Sequence, residues 1–214
     1  MLIFLLRHGL TDWNVAHRCQ GSADIPLNAD GLAQAETLAA ACKGLGFERV
    51  YHSPLARAAV TAEKVANACH APLIPCADLQ EMLLGAFQGL TRAEAAAAYP
   101  DIAPGYFSGE LDITPPGGES MADVQRRALA ALHFCEQDAA DCSRIALVSH
   151  GALIKTLVCV ILGAPLSCFR RFDISNCSLT VVESANGVRR LVTLNDMSPF
   201  GNCYADMSAT RLMI

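Results

Sequence analysis

The sequence predicts an α/β fold: a mostly parallel sheet with helices on both faces and a late antiparallel hairpin. Three observations predict it. The continuous apolar runs "LIFLL" (2–6) and "RIALVS" (144–149) have the length and hydrophobicity of strands buried on both faces. Segments with helical spacing separate such runs, as in alternating strand-helix folds. The last two strand-like runs, "SLTVVES" and "RRLVTLN", flank Asn186-Gly187, a pair suited to a tight hairpin turn.

Each element follows in order. After strand 2–6, "NADGLAQAETLAAACKGLG" places Leu32, Ala35, Ala39 and Cys42 on one helical face, with Asn28 as N-cap and Gly46 as the stop. "RVYHS" (49–53) is a short strand. Ser53 then caps a helix that has Pro54 in its first position and Leu55, Ala58, Ala62, Val65 and Cys69 on its apolar face. "APLIPC" is a further strand, and "TRAEAAAAYP" a short helix closed by Pro100. Residues 100–118, rich in Pro and Gly, read as a long loop. "ESMADVQRRALAALHFC" carries Met121, Val124, Ala128, Leu132 and Cys135 on one face, and "GALIKTLVCVIL" is a buried helix after strand 144–149.

The 214 residues, 52% hydrophobic and 17% charged, fit one domain over 1–214 with a full core and no repeat or linker. A net charge of -5 without a Lys/Arg run argues against a nucleic-acid surface, so any anion site must be a local cluster of positive groups. The longest apolar stretch contains Lys155 and falls short of a membrane span of roughly 20 residues. The apolar start reaches Arg7 too early for a signal peptide, so the protein is expected to be cytoplasmic. The ten cysteines form no CxxC pair and no zinc-type Cys/His spacing. They are expected to be buried small apolar residues in a reducing compartment, with no metal site.

Chemistry gathers at three strand ends. Strand 2–6 runs into Arg7-His8, strand 49–52 into Ser53 with Arg57 in the next helix, and strand 145–149 into His150-Gly151. Open α/β sheets bind ligands beyond the carboxyl ends of their strands. If these strands are parallel neighbours, two arginines and two histidines converge, and the following helix N-termini add backbone donors. Such a cluster makes physical sense around a phosphate dianion.

"RHGLTDWN", "GSADIPLNADGLAQA", "SPLARAAVTAE", "GES" (118–120) and "SHGA" resemble, in order and spacing, the histidine phosphatase superfamily, also called phosphoglycerate mutase-like, over residues 3 to 182. The resemblance implies that His8 is the nucleophile and becomes phosphohistidine. Arg7 and Arg57 would clamp the phosphoryl oxygens with their guanidinium forks. His150 would hold the transferring group as a protonated donor. Gly9, Asn14, Gln20, Gly21 and Gly151 would bind phosphate or substrate. "LQEMLLGAFQGLT" resembles the family segment LxExxxGxxEGxT and points to Glu81 as the proton donor; the competing reading makes Glu81 the ion-pair partner of an arginine. Glu119 is expected to orient the basic cluster.

Gln88 stands where many phosphatases of the family carry glutamate and where mutases often have a neutral residue. The interval between "GLT" and "GES" is short beside that of family mutases, which favours the phosphatase branch. The expected activity is metal- and cofactor-independent hydrolysis of small phosphate monoesters, with α-ribazole phosphate and sugar phosphates as candidates. Phosphoglycerate mutase and a catalytically silent phospho-ligand module are the alternatives. Selectivity is expected from residues 20–26, the loop 100–118 with Tyr106 and Phe107, and the tail from Met197, as a lid or a surface segment. His17, His52, His70 and His133 read as packing or solvated residues, and Trp13 as a packing anchor. The expected partner is a small-molecule monoester, not nucleic acid or membrane; a homodimer is an open assembly state.

Overall fold

Six strands form one sheet in the order β3-β2-β4-β1-β5-β6 in a computed structural model that describes residues 1–201. They are β1 (Leu2–Arg7), β2 (Arg49–His52), β3 (Leu73–Pro75), β4 (Arg144–Ser149), β5 (Leu179–Ala185) and β6 (Val188–Asp196). β3, β2, β4 and β1 run parallel, β5 is antiparallel to β1, and β6 is antiparallel to β5. The helices are α1 (Asp12–Val15), α2 (Ala29–Cys42), α3 (Ala56–Cys69), α4 (Arg92–Ala98), α5 (Ala103–Ser108), α6 (Met121–Asp138) and α7 (Gly151–Ile161).

The alternation of a strand's side chains divides the core in two. Ile3 and Leu5 of β1, with Ile145 and Leu147 of β4, pack under α6 and α7. Phe4, Leu6, Ala146 and Val148 point the other way and pack under α2 and α3. Both faces of the central strands are therefore covered, which is why "LIFLL" shows no polar alternation. At the hairpin, Asn186 (φ 52°) and Gly187 (φ 76°) both occupy the left-handed region that a two-residue turn of this kind requires.

Several local expectations shift. Asn28 does cap α2, its side chain accepting from Gly31 N at 2.8 Å. Leu32, however, is 42% exposed, and Leu38 is buried in its place. The reason lies in the first turn: a Cβ on Gly31 would sit 2.0 Å from the Leu10 carbonyl oxygen, so backbone packing there rotates the buried face. α2 ends at Cys42, ahead of Gly46, which takes its positive φ in the following connection. α3 starts at Ala56 with Leu55 at the cap position, so Ser53 is not its N-cap and Pro54 is not its first residue. The stretch 100–118 contains α5, which tolerates Pro104 in its opening turn and stops at Gly109 (φ 96°). α1 is a single turn closed by a capping box between Thr11 and Asn14.

None of the nine described cysteines forms a disulfide; Cys42, Cys76, Cys135, Cys159 and Cys177 are buried and the other four half-buried. The tail from Met197 begins with a turn, Ser198–Phe200, whose Phe200 packs against the α2/α3 cluster; the rest of it lies outside the described residues. No helix among the described residues is long and apolar enough to cross a membrane.

Candidate active site

Because β2, β4 and β1 are adjacent and parallel, the residues that follow them emerge at one edge of the sheet. His8 there is 2% exposed, and its Nδ1 lies 2.7 Å from the carbonyl oxygen of Gly9. A carbonyl only accepts, so Nδ1 carries the proton and Nε2 keeps the lone pair. Gly9 is fixed in turn: its N–H donates to Thr61 Oγ1 at 3.2 Å, and a Cβ on it would meet the Gly31 carbonyl at 2.5 Å. The glycine after the histidine thus answers to the packing of α2, not to the ligand, and it does not line the cavity described below.

His150 lies beside His8, with ring centroids 5.1 Å apart. Its Nε2 is 2.8 Å from Ser53 Oγ, which itself accepts the Leu55 N–H at 3.3 Å. Among the described residues the serine proton has no other acceptor than Nε2, so Ser53 donates there, and His150 Nδ1 becomes the N–H. Ser53, read from the sequence as a helix cap, instead sets the histidine tautomer.

Carbonyl oxygens hold both arginines. Arg7 donates from one terminal nitrogen to Ile174 O at 2.6 Å. Arg57, fully buried, donates to Ala23 O at 2.7 Å and Gly21 O at 2.8 Å. A Cβ on Gly151 would lie 3.6 Å from the Arg7 guanidinium, so Gly151 gives that side chain room without lining the cavity.

Glu81 is held at the start of α7. Its Oε1 accepts from Met82 N at 2.9 Å and Leu153 N at 3.3 Å, and its Oε2 from Ala152 N at 3.1 Å. Backbone amides, not an arginine, are its partners, contrary to the ion-pair reading. Glu119 does not touch Arg7 or Arg57. It forms a two-pronged pair with Arg127, at 2.8 and 3.0 Å, and accepts from Leu83 N at 2.8 Å. Arg127 also donates to the carbonyls of Asp78 (2.9 Å) and Gln80 (2.7 Å), which pins the segment carrying Glu81. No local motif singles out Arg127, because its partners lie 47 and 49 positions away in the chain.

Arg7, His8, Asn14, Gln20, Arg57 and Glu81 line a cavity of about 200 Å³, with Gly21 and Tyr106 also in its wall; His150, fully buried, stands behind His8 and does not line it. Asn14 spends its amide oxygen on Thr11 and Asn176, and Gln20 accepts from Thr11 Oγ1 at 3.0 Å. Among the described residues, five buried polar side-chain atoms lack a hydrogen-bond partner. Three of them, Arg7 Nε, Arg57 Nε and His150 Nδ1, belong to this cluster. Unpaired buried donors are costly, and three together match a ligand with several acceptor oxygens.

Electrostatics agree. Burial pushes His8 well below the ordinary imidazole value, and the positive charges of Arg7 and Arg57 push the same way against the Gly9 carbonyl. His150 is lowered by burial first, then by His8 and the two arginines. Both imidazoles are therefore neutral near pH 7, His150 included, where the family resemblance implied a protonated donor; His8 Nε2 is left able to attack, and the site is short of negative charge. Burial also lowers Arg7 and Arg57, with Glu81 acting in the opposite direction on both.

The other histidines stand apart. His52 points Nδ1 at Ser53 O at 2.8 Å, His70 ends α3 in the left-handed conformation, and His133 lies near Glu136. His17 and Trp13 line a second, larger cavity. Tyr106 and Phe107 belong to an aromatic cluster around Phe87. No group of three or more His, Cys, Asp or Glu suited to a metal ion occurs among the described residues.

Known proteins resemble this chain in sequence and in fold. The family model of the histidine phosphatase superfamily (branch 1) matches residues 3–197. The chain is 36% identical over 184 residues to a protein of Proteus mirabilis named "Probable phosphoglycerate mutase GpmB", covering 86% of this chain and 85% of that one. A phosphoserine phosphatase of Entamoeba histolytica, solved with 3-phosphoglyceric acid, superposes with a TM-score of 0.81 at 30% identity, over 92% of this chain and 98% of that one. The α-ribazole phosphatase of Shigella flexneri superposes at 0.83 over 92% and 96%, but at 23% identity it shares the fold alone. With residues 3–197 matched and His8, Arg57 and His150 meeting at the strand ends, the chain is an enzyme of the histidine phosphatase superfamily, branch 1.

Proposed function

We propose that the protein hydrolyses small phosphate monoesters by two phosphoryl transfers through a phosphohistidine on His8. The observation that carries this reading is the set of three unpartnered buried N–H donors around a histidine whose Nε2 holds its lone pair. In the first transfer Nε2 bonds to phosphorus as the ester P–O bond breaks. Arg7, Arg57 and His150 take the phosphoryl oxygens, and Glu81 gives its proton to the departing alkoxide. In the second, water attacks phosphorus and passes a proton to Glu81, and the P–N electron pair returns to His8. Positioning and charge neutralisation suffice for such a transfer, and both come from side chains fixed by backbone carbonyls and amides.

The likeness to the Proteus protein favours a second reading, in which a hydroxyl of a rebound phosphoglycerate replaces water as the second acceptor. α-Ribazole phosphate stands among the candidate substrates beside sugar phosphates.

Phosphate release in chelator tests the proposal, using 3-phosphoglycerate, α-ribazole phosphate, sugar phosphates and an aryl phosphate. His8→Ala is expected to cut release by about 10⁴-fold or more. Glu81→Gln is expected to slow alkyl esters by roughly 10²–10⁴-fold and activated aryl esters far less. Undiminished turnover in His8→Ala removes the phosphohistidine, and equal slowing of both ester types removes Glu81 as the acid. Conversion of 3-phosphoglycerate to its 2-isomer without release establishes the mutase.

A further inference from the structure

A second cavity, of about 880 Å³, opens beside the first and shares Asn14 and Arg18 with it. Its wall includes Arg18, Arg92, Lys155 and Arg170, together with Trp13 and Phe107, and no carboxylate. In a chain of net charge -5, four cationic side chains around one cavity are not a sampling of the general surface. One helix serves both chambers: Ala152 of α7 lines the inner cavity and Lys155, one turn on, the outer.

The cations differ in how far they are already satisfied. Arg18 is paired with Glu94 at 2.8 Å, so it is a poor candidate for a ligand. Lys155 is only 18% exposed at its side chain and forms a long ion pair, 3.6 Å, with Asp173, whose own side chain is 51% exposed, so its charge is only partly met. Burial lowers its proton affinity, with Arg7 and Arg170 acting in the same direction and Asp173 against them. Arg92 is held over the Phe107 ring at 5.5 Å. Arg170 lies over Phe169 at 4.8 Å and donates to Tyr106 O at 2.9 Å, yet its buried Nε has no acceptor. Neither Arg92 nor Arg170 has a carboxylate within 4.0 Å among the described residues. Aromatic faces and a carbonyl position these guanidinium groups without neutralising them, as carbonyls do for Arg7 and Arg57.

We infer that the outer cavity receives a second anionic group of the substrate, a carboxylate or a second phosphate on the alcohol part of the ester, held by Arg92, Lys155 and Arg170. The inference rests on the phosphatase reading of the inner site. It narrows the substrate class to esters that carry negative charge at both ends, and it sets neutral sugar monophosphates apart.

Calorimetry on the His8→Ala protein reads this preference without turnover. Two matched pairs are compared: 3-phosphoglycerate with glycerol 1-phosphate, and fructose 1,6-bisphosphate with fructose 1-phosphate. The doubly anionic member of at least one pair is expected to bind tenfold or more tighter, the scale of one charge-assisted hydrogen bond. Arg92→Gln, on an exposed helix start, and Lys155→Met are each expected to shrink that ratio several-fold. Equal affinity within both pairs overturns the inference, and so does a ratio unmoved by either substitution. If the ratio behaves as expected but the wild type releases no phosphate from any ester, the two-ended site stands and the phosphatase reading falls alone.

Discussion

Arg57 and Arg127 both turn inward, and what they meet there differs. Arg57 is fully buried between the carbonyls of Gly21 and Ala23, which orient its guanidinium but carry no net charge. Arg127 makes comparable carbonyl contacts, to Asp78 and Gln80, and in addition a two-pronged pair with Glu119. A carbonyl aims a cation and leaves its charge available; a carboxylate aims it and cancels it. The first arrangement waits for an anion, and the second braces a loop.

Paired substitutions break this contrast if it is wrong. Arg57→Ala is expected to lower kcat/KM by roughly 10³-fold, the scale of losing a preorganised donor to the reacting group, and to cost about 1–3 kcal/mol of stability as well, because it strands the Gly21 and Ala23 carbonyls. Arg127→Met strands Glu119 and two carbonyls that lie near the surface, at a cost of about 1–3 kcal/mol. For a chain of this size that is a fall in Tm of roughly 3–9 °C. Its effect on kcat should be about tenfold, exerted through Glu81, and Glu119→Gln should reproduce it in weaker form. Scanning calorimetry and steady-state kinetics on the same preparations decide the matter. An Arg127→Met protein that keeps its Tm while losing activity as deeply as Arg57→Ala would place Arg127 in the site itself.

What was legible in the sequence follows the same line. Arg7, His8, Arg57 and His150 could be read because each sits at the end of a strand or a fixed step after it, and parallel neighbours bring such steps together. Glu81 could be read from its local segment. Ser53 and Arg127 could not, because their roles rest on pairings through space: Ser53 with His150, 97 positions away, and Arg127 with carbonyls 47 and 49 positions away. A serine before Pro54 looks like a helix cap by local rules, and only the β2/β4 pairing shows what it faces. α5 was hidden for a related reason, since Pro104 and Gly109 read as loop residues although each suits one end of a short helix. Leu32 follows the helical spacing yet lies outside the buried face, because the backbone contact of Gly31 with Leu10 sets that face of α2.

The surplus of positive charge also sets a dependence on pH. His8 and His150 have folded-state values held below the unfolded value of 6.5, by burial first and by neighbouring cations second. Above pH 6.5 neither state binds these protons and the two residues are silent. As pH falls below it, the unfolded chain takes up protons that the folded chain refuses, so stability drops by up to about 1.4 kcal/mol per pH unit per histidine. The carboxylates held low by partners, such as Glu94, Asp123 and Asp138, lose their contribution only at more acidic pH, below the ordinary carboxylate range. Tm in a phosphate-free buffer is therefore expected to fall between pH 7 and 5.5. His8→Ala should flatten that fall, and added inorganic phosphate should offset it by favouring the protonated ring of His150. A Tm that is level across this range, or a slope identical in wild type and His8→Ala, would remove the neutral histidine pair from the account.

The smallest effect expected concerns Gln88, the residue on which the sequence differs from many phosphatases of the family. Its side chain does not line the inner cavity. Its Oε1 accepts from both Ser22 N, at 3.0 Å, and Ser22 Oγ, at 2.9 Å, and a Cβ on Gly21 would come within 2.8 Å of the same oxygen. One oxygen does all this work, and a glutamate oxygen in the same place accepts the same two donors. Gln88→Glu is therefore expected to change kcat/KM less than about twofold and Tm by about 1 °C, within the range of a surface polar exchange. Gln88→Ala releases the Gly21–Ser22 backbone, and Gly21 O is one of the two carbonyls that aim Arg57. A loss of roughly threefold to tenfold in kcat/KM should follow, far short of Arg57→Ala because Ala23 O still holds the guanidinium. The ratio of phosphate release to isomerisation on 3-phosphoglycerate sharpens the test. If Gln88→Glu moves that ratio by more than twofold, the residue governs the second acceptor through its charge, and the choice between hydrolysis and transfer reaches the loop behind Arg57.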